Sequence, residues 1–281
     1  MQFSGSKALG DAVQLVTSRF GSLIAVVAIY IVGMIALFAV FGAGVMGVFQ
    51  EAMMGGPGSA GPGPGGGLFL SMFLLYIFVY ALQFIQQAAL CRLCSDRHQA
   101  DIGEALGTGL RSVLTLFGVA IIAFVALFVV MLVLSLLGAG FAAGGGGGAG
   151  SAILSLMMLI GGVWLMARLC PILPVVANDE ERNPIAAIAR AWAMTAGSAL
   201  KIALLFIGLG VVLAVVFGGL FFAFIGAPTP GNIPNFGALG LMMIVMIVLG
   251  TLIGIYIVAL VTAIHNQLAP TGTDRISEAF A

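Results

Sequence analysis

The sequence predicts an all-α polytopic membrane protein with six transmembrane helices, built as three parallel repeats of an amphipathic helix plus a transmembrane hairpin. Three observations carry that prediction. Apolar residues make up 62% of the chain and charged residues 7%, with a mean hydropathy of +1.22, whereas soluble domains carry about 25% charged residues. Six apolar stretches reach the length of about 20 residues at which a helix crosses a bilayer with its backbone hydrogen bonds satisfied internally. All ten Lys and Arg residues fall on one side of those stretches.

The first stretch, Ser22 to Phe49, runs well beyond the 7 to 15 apolar residues of a signal-peptide core, and no clean small-residue cleavage site follows it, so it is expected to persist as a membrane helix. Leu68 to Leu90, Ser112 to Leu137, Ser151 to Ala167, Ala199 to Ile225 and Leu239 to Ile264 supply the other five spans, the fourth being the shortest. Residues 1–281 thus read as a single six-span membrane domain, with 270–281 as a terminal tail.

The connections alternate in character. Gln50 to Gly67, Gly138 to Gly150 and Gly226 to Phe236 are rich in Gly and Pro and contain no Lys or Arg. Lys7, Arg19, Arg92, Arg97, Arg111, Arg168, Arg182, Arg190, Lys201 and Arg275 all lie in the N-terminus, the two other connections or the C-terminus. Because basic residues are retained on the cytoplasmic side, both termini are expected there, in a bacterial inner membrane. Among the acids only Glu51 is assigned to the outer side. The formal net charge is zero, which gives no reason to expect nucleic acid as a partner.

The charged segments also carry helical periodicity. Leu9, Ala12, Val13, Val16 and Phe20 recur at three- and four-residue spacing, as do Ile102, Ala105, Leu106, Leu110 and Val113, and Ile185, Ile188, Ala189 and Trp192. Three short amphipathic helices in the headgroup plane are the expectation. Asp101 with Glu104 forms a capping-box-like start, and Asn183 before Pro184 places an N-cap ahead of a first-turn proline. Each amphipathic helix is followed by a span, an uncharged loop and a returning span, giving repeats at about 6–94, 101–170 and 184–269. The first two returning spans end alike, in Arg92-Leu93-Cys94 and Arg168-Leu169-Cys170, while Gln267-Leu268-Ala269 stands at the end of the third.

Four groups of residues are candidates for chemistry. Arg92 and Arg168, with Arg190 and Trp192, stand where side chains snorkel to lipid phosphate or meet a partner protein, and Asp96, Asp179 and Glu180 are the acids available to pair with the arginines. Gln83, Gln86 and Gln87 form a polar stripe late in the second span, and His265, Asn266 and Gln267 occupy the same place in the sixth. Such amides serve either helix packing near a wet interface or a solute pathway. Cys91, Cys94 and His98, joined by Cys170, could supply a tetrahedral zinc site. The second ligand pair usual in structural zinc sites is missing, which favours free thiols packed at helix ends, and no cofactor is expected. Gly250 and Gly254 make a GxxxG pair in the sixth span that would permit close helix approach. The predicted spans hold no Asp or Glu, and no nucleophile stands in a recognisable catalytic pattern, so an enzyme is not expected.

The segment Arg168 to Leu205, RLCPILPVVANDEERNPIAAIARAWAMTAGSALKIALL, resembles the membrane domain attached to some glycerophosphoryl diester phosphodiesterases and found in related bacterial inner-membrane proteins. The likeness lies in the returning span ending in Arg and Pro, the acidic turn, the Asn-Pro helix start and the central Trp192, with an echo around Arg92 to Leu116. In the fused enzymes activity belongs to a soluble barrel, which has no room in this chain. The resemblance therefore implies a membrane module without catalysis. The functional expectation is a non-enzymatic protein that binds membrane lipid, self-associates or serves as an accessory subunit of a membrane complex. The alternative is a transporter or channel for a small or amphiphilic solute.

Overall fold

The structure, a computed structural model, describes residues 3–54, 65–95, 100–143, 147–225 and 236–269. The described residues form helices and no strands: α1 (Gly5–Ser18), α2 (Phe20–Met54), α3 (Gly65–Leu93), α4 (Ile102–Ala143), α5 (Gly147–Leu169), α6 (Ile172–Ala177), α7 (Pro184–Thr195), α8 (Ala199–Ile225) and α9 (Phe236–Leu268). None of the ten prolines falls inside α2, α3, α4, α5, α8 or α9, so nothing in those six interrupts the backbone ladder. Six segments are long and apolar enough to cross a membrane: Phe20–Gly42, Leu70–Leu93, Ile102–Leu136, Ala152–Ala177, Ala199–Phe224 and Gly240–Leu268.

The predicted helix starts are built as expected. Asp101 accepts the Glu104 backbone N–H on its Oδ1 at 2.7 Å, and Asn183 Oδ1 accepts from Ile185 and Ala186 at 3.0 and 3.4 Å. Each removes a donor that the first turn would otherwise leave unsatisfied.

The amphipathic segments do not all become separate helices. α1 ends at Ser18, and Arg19, with a non-helical φ of −124° and its guanidinium donating to the Leu93 carbonyl at 2.7 Å, stands between it and α2. α7 ends before the turn Ala196-Gly197-Ser198, and α8 starts beyond it. The amphipathic helix expected at Ile102 to Val113, the second of the three, is instead the beginning of α4, which runs unbroken for 42 residues. No proline or terminating glycine interrupts Leu110-Arg111-Ser112-Val113, and Ser112 turns its hydroxyl back onto the Thr108 carbonyl at 2.8 Å, within the helix.

The core lies at one end of the bundle. Ala8, Ala12 and Leu15 of α1, Ala88 to Cys94 of α3, Ala105 and Leu116 of α4, Val175 to Ala177 of α6 and Val258 to Ile264 of α9 are buried together. This end also carries Arg92, Arg168, Arg182 and Arg190, and is called the charged end below. Towards the other end the spans expose large apolar side chains, Phe124, Leu136, Leu159, Val215 and Ile244 among them. Water would not tolerate so much contiguous apolar surface, whereas a hydrocarbon environment does.

Glycine fixes one helix crossing. A Cβ on Gly109 of α4 would sit 2.5 Å from the Ile85 carbonyl oxygen of α3, so these helices approach to a separation that only glycine permits. The Gly250–Gly254 pair behaves differently from the sequence expectation, since a Cβ at either position would meet nothing within 4 Å. These two glycines leave space and make no tight helix contact.

Candidate functional site

The space left by those glycines is a cleft of about 380 Å³ between α2, α3 and α9. Val27, Tyr30 and Ile31 border it on α2, Gln83, Gln86, Gln87 and Leu90 on α3, and Met246 to Val258 on α9. The α3 residues share a face because i, i+3, i+4 and i+7 superpose on a helix. The Tyr30 hydroxyl donates to Gln83 Oε1 at 2.8 Å, which leaves the Gln83 amide N–H groups available. Thr251 donates to its own helix at the Ile247 carbonyl, 2.8 Å away. Gln86 and Gln87 are half-buried and make no hydrogen bond to protein among the described residues. Among the described residues no Lys, Arg, Asp, Glu or His borders the cleft.

His265, Asn266 and Gln267, grouped with the glutamines in the sequence, belong elsewhere. His265 is fully buried, with Nε2 3.2 Å from Asp179 Oδ2. Gln267 donates to Asp11 Oδ2 at 3.2 Å and accepts the Ser4 backbone N–H at 3.4 Å, tying the end of α9 to α1. Seven to nine residues separate these three from Val258, the last residue of α9 to border the cleft, roughly two helical turns.

The arginines split in the same way. Arg92 has a side chain only 6% exposed, with Nη2 3.1 Å from Glu104 and 3.5 Å from Glu180. It is enclosed by protein and does not reach a lipid headgroup, contrary to the snorkelling expectation, because α4 brings Glu104 over it. Of the three acids named as pairing candidates, Glu180 meets Arg92. Asp179, 6% exposed, instead takes Arg190 at 2.8 Å and His265, and Asp96 lies outside the described residues. Glu180 has a φ of 56°, a left-handed backbone that costs a non-glycine residue about 1 kcal/mol or more. That strain is held by the pairs on either side of it.

Arg168 alone remains beside an exposed aromatic surface. Its guanidinium lies 5.3 Å from the Trp164 ring centre and 5.0 Å from that of Trp192, and Nη1 donates to the Trp192 carbonyl at 3.2 Å. The two indoles meet edge to face, 5.0 Å apart. Both are partly exposed, as residues of an aromatic belt are.

The thiols do not assemble. Cys91 and Cys94 are buried, and the Cys91 Sγ accepts the Thr262 hydroxyl at 3.4 Å, while the Cys170 thiol donates to the Ala167 carbonyl at the end of α5. Among the described residues no three His, Cys, Asp or Glu side chains are grouped as metal ligands; His98 lies outside those residues. Sequence reasoning found the glutamines and glycines of the cleft but missed Tyr30 and Thr251, which are single polar residues in apolar runs. It also read Glu104 only as a capping residue.

Comparison of the chain with family models, with curated proteins and with solved structures finds no match.

Proposed function

We propose that the chain is a non-enzymatic, multi-pass protein of a bacterial inner membrane, with its charged end and both termini cytoplasmic, that binds a membrane lipid in the cleft between α2, α3 and α9. The observation that carries this reading is the cleft itself: amide groups of Gln83, Gln86 and Gln87 on one wall and apolar side chains of α2 and α9 on the other, within the spans. Polar groups at that depth are costly unless something hydrogen-bonds them. A lipid with a polar group near its chains is the abundant candidate.

The repeat reading is part of the proposal. Arg92 ends the first unit and pairs with Glu104 of the second; Arg168 ends the second and binds Trp192 of the third; Gln267 ends the third and binds Ser4 and Asp11 of the first. Three units each clasping the next would close into a ring. The resemblance of Arg168 to Leu205 to a membrane module supports the absence of catalysis, and Arg168 with Trp192 remains the candidate contact for a headgroup or an accessory partner.

The cleft can be filled without crowding, because Gly250 and Gly254 face open space. Replacing both with leucine also favours the helix, since glycine costs about 1 kcal/mol in a helix interior. Mass spectrometry of the protein extracted in native-membrane particles is expected to show a lipid enriched with the natural chain and lost from G250L/G254L. An identical lipid profile for both would end this reading. A solute pathway through the same amides is the second reading; it predicts flux of a solute in liposomes that G250L/G254L abolishes.

A further inference from the structure

We propose that the lipid taken by the cleft is a neutral amphiphile, an uncharged hydroxyl- or carbonyl-bearing head on hydrocarbon chains, and that Gln83 and Gln87 select it against phosphate-bearing lipids. The proposal rests on the cleft being a lipid site and adds the chemistry of the head. Three features of the lining point to it.

The first is the absence of charge: among the described residues the cleft is bordered by amide, hydroxyl and apolar groups and by no cation that could balance a phosphate. The nearest basic side chain along α3, Arg92, is already enclosed and paired with Glu104 and Glu180.

The second is depth. Gln83 precedes Arg92 by nine residues and Gln87 by five, so they stand about 14 and 8 Å further along the helix. If Arg92 marks the boundary of a hydrocarbon core about 30 Å thick, Gln83 lies near its middle. An ionised phosphate drawn there would lose its hydration for a few amide hydrogen bonds and no cation to balance its charge, whereas a hydroxyl or carbonyl would exchange few hydrogen bonds with water for direct ones with the amides.

The third is the donor and acceptor inventory. Gln83 keeps its N–H groups free after accepting from Tyr30, and Gln86 and Gln87 offer whole amides. Amides both donate and accept, which suits a hydroxyl or a carbonyl and adds no charge. At about 380 Å³ the cleft falls at the small end of ligand sites, room for a head and the first part of its chains, with the remainder lying in the bilayer.

The test uses the full chain in phosphatidylcholine nanodiscs doped with a diacylglycerol carrying a diazirine in one chain, or with phosphatidic acid carrying identical chains. After photolysis, labelled peptides are mapped by mass spectrometry. The diacylglycerol is expected to label the cleft segments of α3 and α9 about tenfold more than the phosphatidic acid does. In Q83L/Q87L, which removes both amides and with them the acceptor of the Tyr30 hydroxyl, that preference is expected to fall about tenfold, to near parity. Equal labelling by the two probes in the natural chain would overturn the choice of a neutral head while leaving lipid binding in place. A preference that survives Q83L/Q87L would overturn the role of the amides. Labelling of the cleft by neither probe would overturn both this proposal and the lipid-site reading beneath it.

Discussion

The ends of α3 and α5 carry the same tripeptide, Arg-Leu-Cys, and meet opposite fates. Arg92 is enclosed, held by two carboxylates, with Cys94 fully buried behind it. Arg168 lies between two partly exposed indoles with a backbone carbonyl as its acceptor, and Cys170 is only partly covered. The local sequence decides that each helix ends in a cation near the boundary. What covers that cation is decided by segments that follow it as well as by its own helix: α4 offers Glu104 in its first turn and the turn after α6 offers Glu180 to Arg92, whereas Arg168 meets Trp164 of α5 itself and Trp192 in the last turn of α7. A charge clothed by carboxylates becomes part of the protein's interior, whereas one clothed by aromatic faces stays at its surface.

Removing the arginines tests that difference most directly. Arg92→Ala leaves two carboxylates and a buried cavity; because only Nη2 is engaged and both carboxylates are about half exposed, the lower end of the range for broken buried pairs applies, a loss of about 3 kcal/mol in thermal unfolding in detergent. Gly109→Ala leaves every charge in place but pushes α4 off Ile85, and with it Glu104 off Arg92. Overpacking against backbone should cost about 2 to 3 kcal/mol in the same assay. Arg168→Ala should cost only about 1 kcal/mol, the order of a partly solvated cation–π contact. If Arg168→Ala proved as damaging as Arg92→Ala, the two ends would be equivalent and the contrast would fail.

Smaller effects sharpen the same contrast. Glu104→Gln removes a charge that is about half exposed and leaves Glu180 in place, so about 1 kcal/mol or less is expected, declining with added salt. Thiol labelling needs no stability change at all. A small maleimide should modify the partly covered Cys170 slowly in the folded protein, and Cys91 and Cys94 only after unfolding in sodium dodecyl sulfate, read as one adduct and then three. Prompt labelling of Cys94 in the folded protein would show the α3 end to be as open as the α5 end.

Hydropathy alone sufficed to locate the six apolar helices, because a bilayer leaves the chain few alternatives once about 20 apolar residues run together. The caps at Asp101 and Asn183 were legible because they act within one turn. Pairings across the chain were not. Glu104 meets Arg92 and Asp179 meets His265 through how helices lie side by side, which no local spacing records. The cleft was half legible: Gln83, Gln86 and Gln87 declared a polar face, but whether Gly250 and Gly254 draw a helix in or hold a gap open depends on what stands opposite. The unbroken α4 was missed because amphipathic and fully apolar periodicities can follow one another in a single helix without any stop signal between them.

That unbroken α4 has a mechanical consequence. At 1.5 Å per residue its 42 residues make a rod of about 63 Å, with Glu104 near one end and large apolar side chains exposed from Ile121 to Leu136. α2 and α8 each meet their amphipathic partner at a joint, at Arg19 and at Ala196 to Ser198, about which a span can lean without carrying α1 or α7 along. α4 has no such joint. A tilt imposed on its far half by a thinner or thicker bilayer would therefore be carried along the whole rod to the Gly109–Ile85 crossing and the Glu104–Arg92 pair near its start.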